Sequence, residues 1–178
     1  YKMPKRTPLH VRYEVSPVSG TGFRGLIFQF FDHGNDGSSG LPSFQFEIRN
    51  EQLHTRWATI VNGQGTATLI KPIANVEWNG TRWYNLDIYT VLSHIASEAI
   101  TRVYLDGKFV WERKGEVNAS EKGGNVQIQY GIYAVKGLDL KTRVRKLFWE
   151  PVSAIPTTAT VSGTEFPHTT PAPTPVPV

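Results

Sequence analysis

The sequence contains no cysteine, and it has no run of about 20 apolar residues of the kind that crosses a membrane as a helix. Without cysteine the chain cannot form a disulfide, a thiolate zinc site, an iron–sulfur cluster or a cysteine nucleophile. Charge is also sparse, since 19 Lys and Arg against 15 Asp and Glu leave a net charge of +4, with the cations scattered. This balance allows a polyanionic partner without requiring one. The 178 residues suffice for one domain with a sizeable core.

Residues 154–178 differ in composition from the rest of the chain. They hold six of the twelve prolines, seven threonines and a single acidic residue, Glu165. Such a segment buries too little apolar surface to order itself, and its prolines favour the extended polyproline II conformation. We therefore expect residues 1–153 to form the folded domain. Residues 154–178 are expected to be an extended tail or linker that packs little against it and tethers it to another module.

Apolar and polar residues alternate along much of the folded part. The alternation is clearest in residues 10–15, 44–49, 83–89 and 126–134. Alternation with a period of two is typical of β-strands that bury one face. Asp106-Gly107, between two further apolar segments, predicts a two-residue hairpin turn. Only residues 90–99 are compatible with a short helix, so the pattern predicts an all-β sandwich or jelly roll.

The polar positions of these strands have a composition that suits sugars. Amides and guanidinium groups hydrogen-bond to hydroxyls and carboxylates, and aromatic rings stack on pyranose faces. An ordinary solvated sheet face remains an alternative interpretation at this point. The candidate binding residues are Arg12, Glu14, Gln29, His33, Gln45, Glu47, Arg49, Gln127, Gln129 and Tyr133.

Several other chemistries lack the residues that they need. A glycosidase requires two carboxylates that face one bond, and no such pair occurs on one predicted strand. The five histidines have no metal-ligand spacing, Ser93-His94 is not set in a nucleophile elbow, and no phosphate-binding glycine loop is present. The basic residues between Lys141 and Lys146 form a short stripe that is also typical of a solvated edge strand. We therefore expect no metal, no cofactor and no nucleic-acid partner.

β-Elimination of a uronate needs less machinery. The sugar carboxylate must be neutralised so that the C5 proton becomes acidic, a base must remove that proton, and an acid must protonate the leaving O4. An arginine with a glutamine suits the first task. A tyrosine, with or without a histidine, suits the other two. Arg12, Gln29 and Tyr133 are residues of these types at polar positions of their strands.

Several segments resemble, in order, the motifs of jelly-roll polysaccharide lyases. The chain resembles the heparin lyase I and glucuronan lyase type, and more distantly the alginate lyases, over nearly all of residues 8–150. The segments that carry the resemblance are an R-x-E strand at 11–15, an I-F-Q strand at 26–29, a P-x-L-x-L-x-I strand at 41–50, a G-x-W-Y stretch at 80–86, a V-x-V-D-G-K hairpin at 103–108 and a K-x-G-I-Y strand at 130–133. The resemblance implies a jelly-roll β-sandwich of the concanavalin A-like type, made of two antiparallel sheets, and a lyase that acts on an acidic polysaccharide.

The resemblance also implies roles for particular residues. Arg12 and Gln29 correspond to the pair that neutralises the carboxylate, and Tyr133 corresponds to the catalytic acid, with a second role as base. On this basis we expect Arg12, Gln29 and Tyr133 to lie on one concave face.

Two positions depart from the family pattern. Phe31 stands where the family often has a histidine, and His33, two residues further on, is a further candidate catalytic residue. Gln129 replaces a lysine four residues before the tyrosine. In glucuronate and mannuronate the C5 proton and O4 leave from the same side, so one tyrosine can serve as base and acid. The pattern therefore favours syn elimination on a glucuronan- or mannuronate-like polymer.

Two other functions stay open. Phe31 and Gln129 motivate a non-catalytic carbohydrate-binding module or degenerate lyase, and the Thr/Pro-rich tail motivates a structural surface protein on a stalk. For the lyase, the expected partner is an acidic polysaccharide, with no membrane and no nucleic acid involved. We expect a monomer that is extracellular or surface-associated, either secreted or on a virion.

Overall fold

The computed structural model describes residues 2–19, 24–32, 41–49, 52–61, 64–77, 80–121, 126–134 and 141–157. Within these ranges the chain forms eleven β-strands. Their bounds are β1 Lys2–Met3, β2 Pro8–Ser19, β3 Arg24–Asp32, β4 Leu41–Arg49, β5 Gln52–Val61, β6 Gln64–Asn75, β7 Tyr84–Val91, β8 Ile100–Leu105, β9 Lys108–Lys114, β10 Val126–Ala134 and β11 Lys141–Pro151. Among the described residues there is no helix long and apolar enough to cross a membrane.

The strands form two antiparallel sheets. The six-stranded sheet has the order β1-β10-β3-β4-β5-β6, and the five-stranded sheet has the order β11-β2-β7-β8-β9. Every neighbouring pair of strands is antiparallel. The all-β sandwich that the alternation predicts is therefore confirmed.

The local predictions hold at the strands and the hairpin, and residues 90–99 form no helix. All four alternating segments lie in strands, although β7 begins one residue later than the pattern suggests. Asp106 and Gly107 have φ angles of 50° and 76°, the left-handed conformation that a primed hairpin turn requires. Residues 90–99, the one segment compatible with a short helix, do not form one. β7 continues to Val91, where pairing with β8 satisfies the backbone, and only a single turn near Ala99 follows.

The core between the sheets is rich in aromatic side chains. The Phe28 ring lies 5.1 Å from Phe30 and 5.7 Å from Phe46, between ring centroids. Across the sandwich, Trp111 of β9 lies 5.4 Å from Phe44 of β4. Such ring pairs stabilise the core by about 0.5–1.5 kcal/mol each beyond the area that they bury. Since these residues occupy alternate positions, the polar residues between them lie on the outer faces of the sheets.

Candidate active site

Three glutamines form a row across the outer face of the six-stranded sheet. Gln129 on β10 stands opposite Gln29 on β3, which in turn stands opposite Gln45 on β4. Gln45 Nε2 donates a hydrogen bond to Gln29 Oε1 at 2.7 Å, and Gln29 Nε2 donates one to Gln129 Oε1. The structure thus brings together three of the candidate binding residues, which are named the glutamine row below.

A buried carboxylate beside the glutamine row holds two arginines. Glu47 Oε1 accepts hydrogen bonds from Arg49 at 3.1 and 3.0 Å, and Glu47 Oε2 lies 3.8 Å from Arg56 Nη1. The Glu47 side chain is 1% exposed, whereas the side chains of Arg49 and Arg56 are 34% and 30% exposed. A ligand on this face therefore meets the guanidinium groups. Glu47, a candidate substrate-binding residue, serves instead to anchor them.

Two residues on β5 also belong to this face, although the sequence pattern had not singled them out. Arg56 stands opposite Gln45, and His54 stands opposite Glu47, so both extend the polar face by one strand. His54 Nδ1 lies 3.1 Å from the carbonyl oxygen of Gln52, which can only accept, so Nδ1 is the donor of this hydrogen bond. The His54 side chain is largely buried. The signal for both residues was the polar alternation along β5, which matches that of β4.

The side chains of two predicted catalytic residues are not described. His33 lies outside the described residues altogether. Tyr133 has a described backbone, which pairs with Leu26 of β3, and Leu26 in turn stands opposite Glu47. Since Glu47 is two residues from Gln45 on the same face of β4, Tyr133 belongs to the cross-strand row next to the glutamine row.

A cavity of about 210 Å³ lies between β3 and β10, where both strands carry a register shift. It is lined by Leu26, Ile27, Phe28, Gln29, Gln129, Tyr130 and Gly131. Gly131 has a φ of 122°, a conformation that side-chain-bearing residues rarely adopt, which explains the glycine at this point. Tyr130 is 54% exposed beside the cavity. The cavity is therefore lined by two members of the glutamine row together with apolar residues of β3.

Gln127 and Phe31 extend the face on the other side of the glutamine row. They stand opposite each other on β10 and β3, and both are half-buried. An aromatic ring therefore occupies the position at which the family often has a histidine.

Arg12 does not belong to this face. It lies on β2 of the five-stranded sheet, and its two neighbours along the strand are buried in the core, so its guanidinium is on the opposite side of the sandwich. There it donates to Asp87 from Nε at 2.8 Å and from Nη2 at 3.1 Å. The expectation that Arg12 shares one face with Gln29 and Tyr133 is wrong. The two sheets are separated by the core, and one uronate cannot touch both outer faces.

Glu14 lies on the same strand of the five-stranded sheet as Arg12. Its carboxylate is buried, where Arg145 donates to it and Lys146 lies 3.4 Å away. Nearby, burial alone would raise the pKa of Asp87, but hydrogen bonds from His10 and Arg12 outweigh burial and lower it. The R-x-E strand thus contributes to a structural ion-pair network, and Glu14 is not placed to bind a substrate on the six-stranded sheet.

The chain stays packed on the sandwich beyond residue 153. The guanidinium of Arg102 donates to the carbonyl oxygen of Pro156, and the Tyr104 hydroxyl donates to the carbonyl oxygen of Thr157 at 2.7 Å. We call residues 152–157 the strap. Because the strap binds β8, packing extends at least three residues past Ala154, and the rest of the expected tail lies outside the described residues.

Comparison with known proteins identifies the class of the domain. The family model described as polysaccharide lyase matches residues 8–153, and the chain belongs to this family. Its members are lyases that act on polysaccharides, as the resemblance in the sequence predicts. No curated protein sequence is significantly similar to the chain.

Solved lyases share the fold at low sequence identity. An endo-β-1,4-glucuronan lyase from the fungus Trichoderma reesei aligns with a TM-score of 0.68 and 15% identity, over 85% of this chain and 71% of the other. Alginate lyase A1-II′, of polysaccharide lyase family 7, aligns with a TM-score of 0.64 and 11% identity, over 85% of this chain and 65% of the other. An alginate lyase from Pseudomonas aeruginosa aligns with a TM-score of 0.57 and 11% identity, over 83% of this chain and 66% of the other. These likenesses confirm the jelly-roll fold, and the chain spans just under two thirds of the length of both alginate lyases.

Proposed function

We propose that this domain cleaves a uronate-containing polysaccharide by β-elimination on the outer face of the six-stranded sheet. The observation that carries the proposal is the glutamine row with two accessible arginines held beside it, on the sheet that also contains Tyr133. Membership of the polysaccharide lyase family over residues 8–153 supports it. Amide and guanidinium donors are the groups that hold a sugar carboxylate.

In the proposed reaction, the donors of this face neutralise the carboxylate attached to C5. Arg56 takes the part that the resemblance had suggested for Arg12, and the glutamine row that contains Gln29 takes the part suggested for Gln29. Their hydrogen bonds strengthen as charge moves onto the carboxylate in the transition state, which makes the C5 proton easier to remove. Tyr133 removes that proton and passes it to O4 as the C4–O4 bond breaks and the C4–C5 double bond forms, so the tyrosine ends in the state in which it began.

The proposed substrate is a glucuronan- or mannuronate-like polymer that undergoes syn elimination. Phe31 stands where a histidine base would stand, and the imidazole of His54 is largely buried. Both observations favour a single tyrosine that serves as base and acid. The proposed partner is thus an acidic polysaccharide, met by a secreted or surface-associated monomer.

The proposal is tested by incubating the full chain with polyglucuronate, polymannuronate and polyguluronate. The ultraviolet absorbance of the C4–C5 unsaturated uronate is followed, with Tyr133→Phe as the matched control. We expect the absorbance to rise with the first two polymers, to rise much less with the third, and to stay flat for the variant. A flat trace with all three polymers would contradict lyase activity.

A non-catalytic carbohydrate-binding module is the second candidate, and Phe31 and Gln129 favour it. The family often carries a histidine and a lysine at these two positions, whereas the side chains of Phe31 and Gln129 cannot titrate. Measurable affinity for one of these polymers without any unsaturated product would support this candidate over the lyase.

A further inference from the structure

We propose that Gln45 is a positioning residue that, together with Arg56, sets the direction in which the amides of the glutamine row donate hydrogen bonds to one another. When they donate from Gln45 towards Gln129, Gln129 presents its amide nitrogen to the substrate carboxylate as a hydrogen-bond donor. The inference rests on the proposed function, because it names the donor that meets the carboxylate.

The hydrogen bonds of the row all run the same way. Gln45 Nε2 donates to Gln29 Oε1 at 2.7 Å, and Gln29 Nε2 donates to Gln129 Oε1. Each amide has one oxygen that accepts and one nitrogen that donates. The oxygen of Gln129 is thus occupied, and within the described part of the chain its nitrogen has no partner. The reverse direction would turn the Gln129 oxygen outward, where it would repel a carboxylate.

The far end of the row favours this direction. Arg56 stands opposite Gln45, and a guanidinium group carries only donors. An amide beside it is most stable with its oxygen towards the cation, which turns the nitrogen of Gln45 towards Gln29. Each further contact must pair a donor with an acceptor, so the preference passes along the row to Gln129. The position of Arg56 is supported by Glu47, whose Oε2 lies 3.8 Å from Nη1.

The donor end of the row lies where a sugar fits. Gln129 lines the cavity of about 210 Å³ together with Gln29, on the strand that carries Tyr133. A uronate bound at this cavity would meet the side chain of Gln129. Because this donor is neutral, its contribution depends on which way the amide points.

Gln45→Glu tests the direction directly. A carboxylate cannot donate, so Gln29 should turn its nitrogen towards position 45, and Gln129 should then turn its oxygen outward. Loss of a hydrogen bond to a charged group should lower kcat/KM about ten- to hundredfold. The charge-matched control is Gln52→Glu, on the same face of β5 but outside the row. At an ionic strength of about 0.5 M, where simple charge repulsion is screened, only Gln45→Glu should keep its deficit.

The pH profile separates positioning from a structural defect. As the pH falls towards about 4.5, the introduced carboxyl gains a proton and can again donate to Gln29. The ratio of the kcat/KM of Gln45→Glu to that of the wild type should therefore rise in high salt, whereas the ratio for Gln52→Glu should stay flat. The charged or titratable groups near position 45, which are Arg56, Glu47, Arg49 and His54, are the same in both variants. A deficit without recovery at low pH would overturn the proposal.

Side-chain amide NMR gives a readout that does not need activity. In the wild type, the NH₂ groups of Gln45 and Gln29 should exchange slowly with solvent, and that of Gln129 should exchange fast. In Gln45→Glu the Gln129 group should become slow. A slowly exchanging Gln129 in the wild type would overturn the inference. The expected exchange pattern without any lyase activity would instead reject the proposed function and leave the direction of the row intact.

Discussion

Replacing Arg12 by alanine should destabilise the domain without removing a substrate contact. The guanidinium makes two hydrogen bonds to Asp87, and the side chains of Arg12 and Asp87 are 15% and 4% exposed. Removing one partner of a buried ion pair costs about 3–5 kcal/mol, since the remaining charge stays buried. His10 Nε2, 2.7 Å from the same carboxylate, remains in place. We therefore expect a loss near the lower limit, about 3 kcal/mol, or roughly 6–12 °C in Tm for a chain of this size.

The loss of stability should depend on pH. The pKa of Asp87 is lowered in the folded protein, so its ionised form stabilises the fold above the unfolded-state pKa of about 3.9. This stabilisation is lost as the pH falls through the folded-state pKa. Without Arg12, only His10 opposes the effect of burial, which raises the pKa, so the folded-state pKa of Asp87 should rise. The difference in Tm between wild type and Arg12→Ala should therefore be largest near neutral pH and shrink below about pH 4.

Thermal unfolding across pH, with kcat/KM measured well below both Tm values, tests this reasoning. Arg82→Ala is the matched control, because Arg82 pairs with Asp106 while its side chain is 50% exposed. An exposed pair contributes only about 0–1 kcal/mol, so the control should barely move Tm. If Arg12→Ala kept its Tm but lost kcat/KM, Arg12 would be a catalytic residue after all and the placement of the site would be refuted.

Three further outcomes are expected. Ending the chain after residue 151 should lower Tm because it removes the strap that binds Arg102 and Tyr104. Ending it after residue 157 keeps the strap and should leave Tm unchanged. Equal Tm values for the two truncated chains would show that the strap does not stabilise the sandwich. Tyr133→Phe should lower turnover about 10²–10⁴-fold with polymer binding retained, and an equal loss of binding would argue against an acid–base role. His33→Ala should leave turnover nearly unchanged under the single-tyrosine mechanism, and a large loss would point to a histidine base.

The sequence predicts the local structure well because strand formation has a local cause. Alternation along β4 and β10 determines which residues face the core, and the Asp106-Gly107 turn follows from backbone sterics. The same alternation correctly placed Gln29, Gln45 and Gln129 on a polar face. Together with the ordered motifs, it was sufficient to predict the jelly-roll fold and the polysaccharide lyase family.

Which sheet a strand joins was decided only by the tertiary structure. An R-x-E strand alternates in the same way in either sheet, so no local pattern could show that Arg12 pairs with Asp87 across the core from the glutamine row. The exposure of Arg56 and the burial of Glu47 likewise depend on strand register, which is set by pairing between segments distant in sequence. The sequence alone therefore determined the types of side chain on each face. Strand pairing determined which of them meet, because hydrogen bonds between strands bring together residues that no sequence spacing relates.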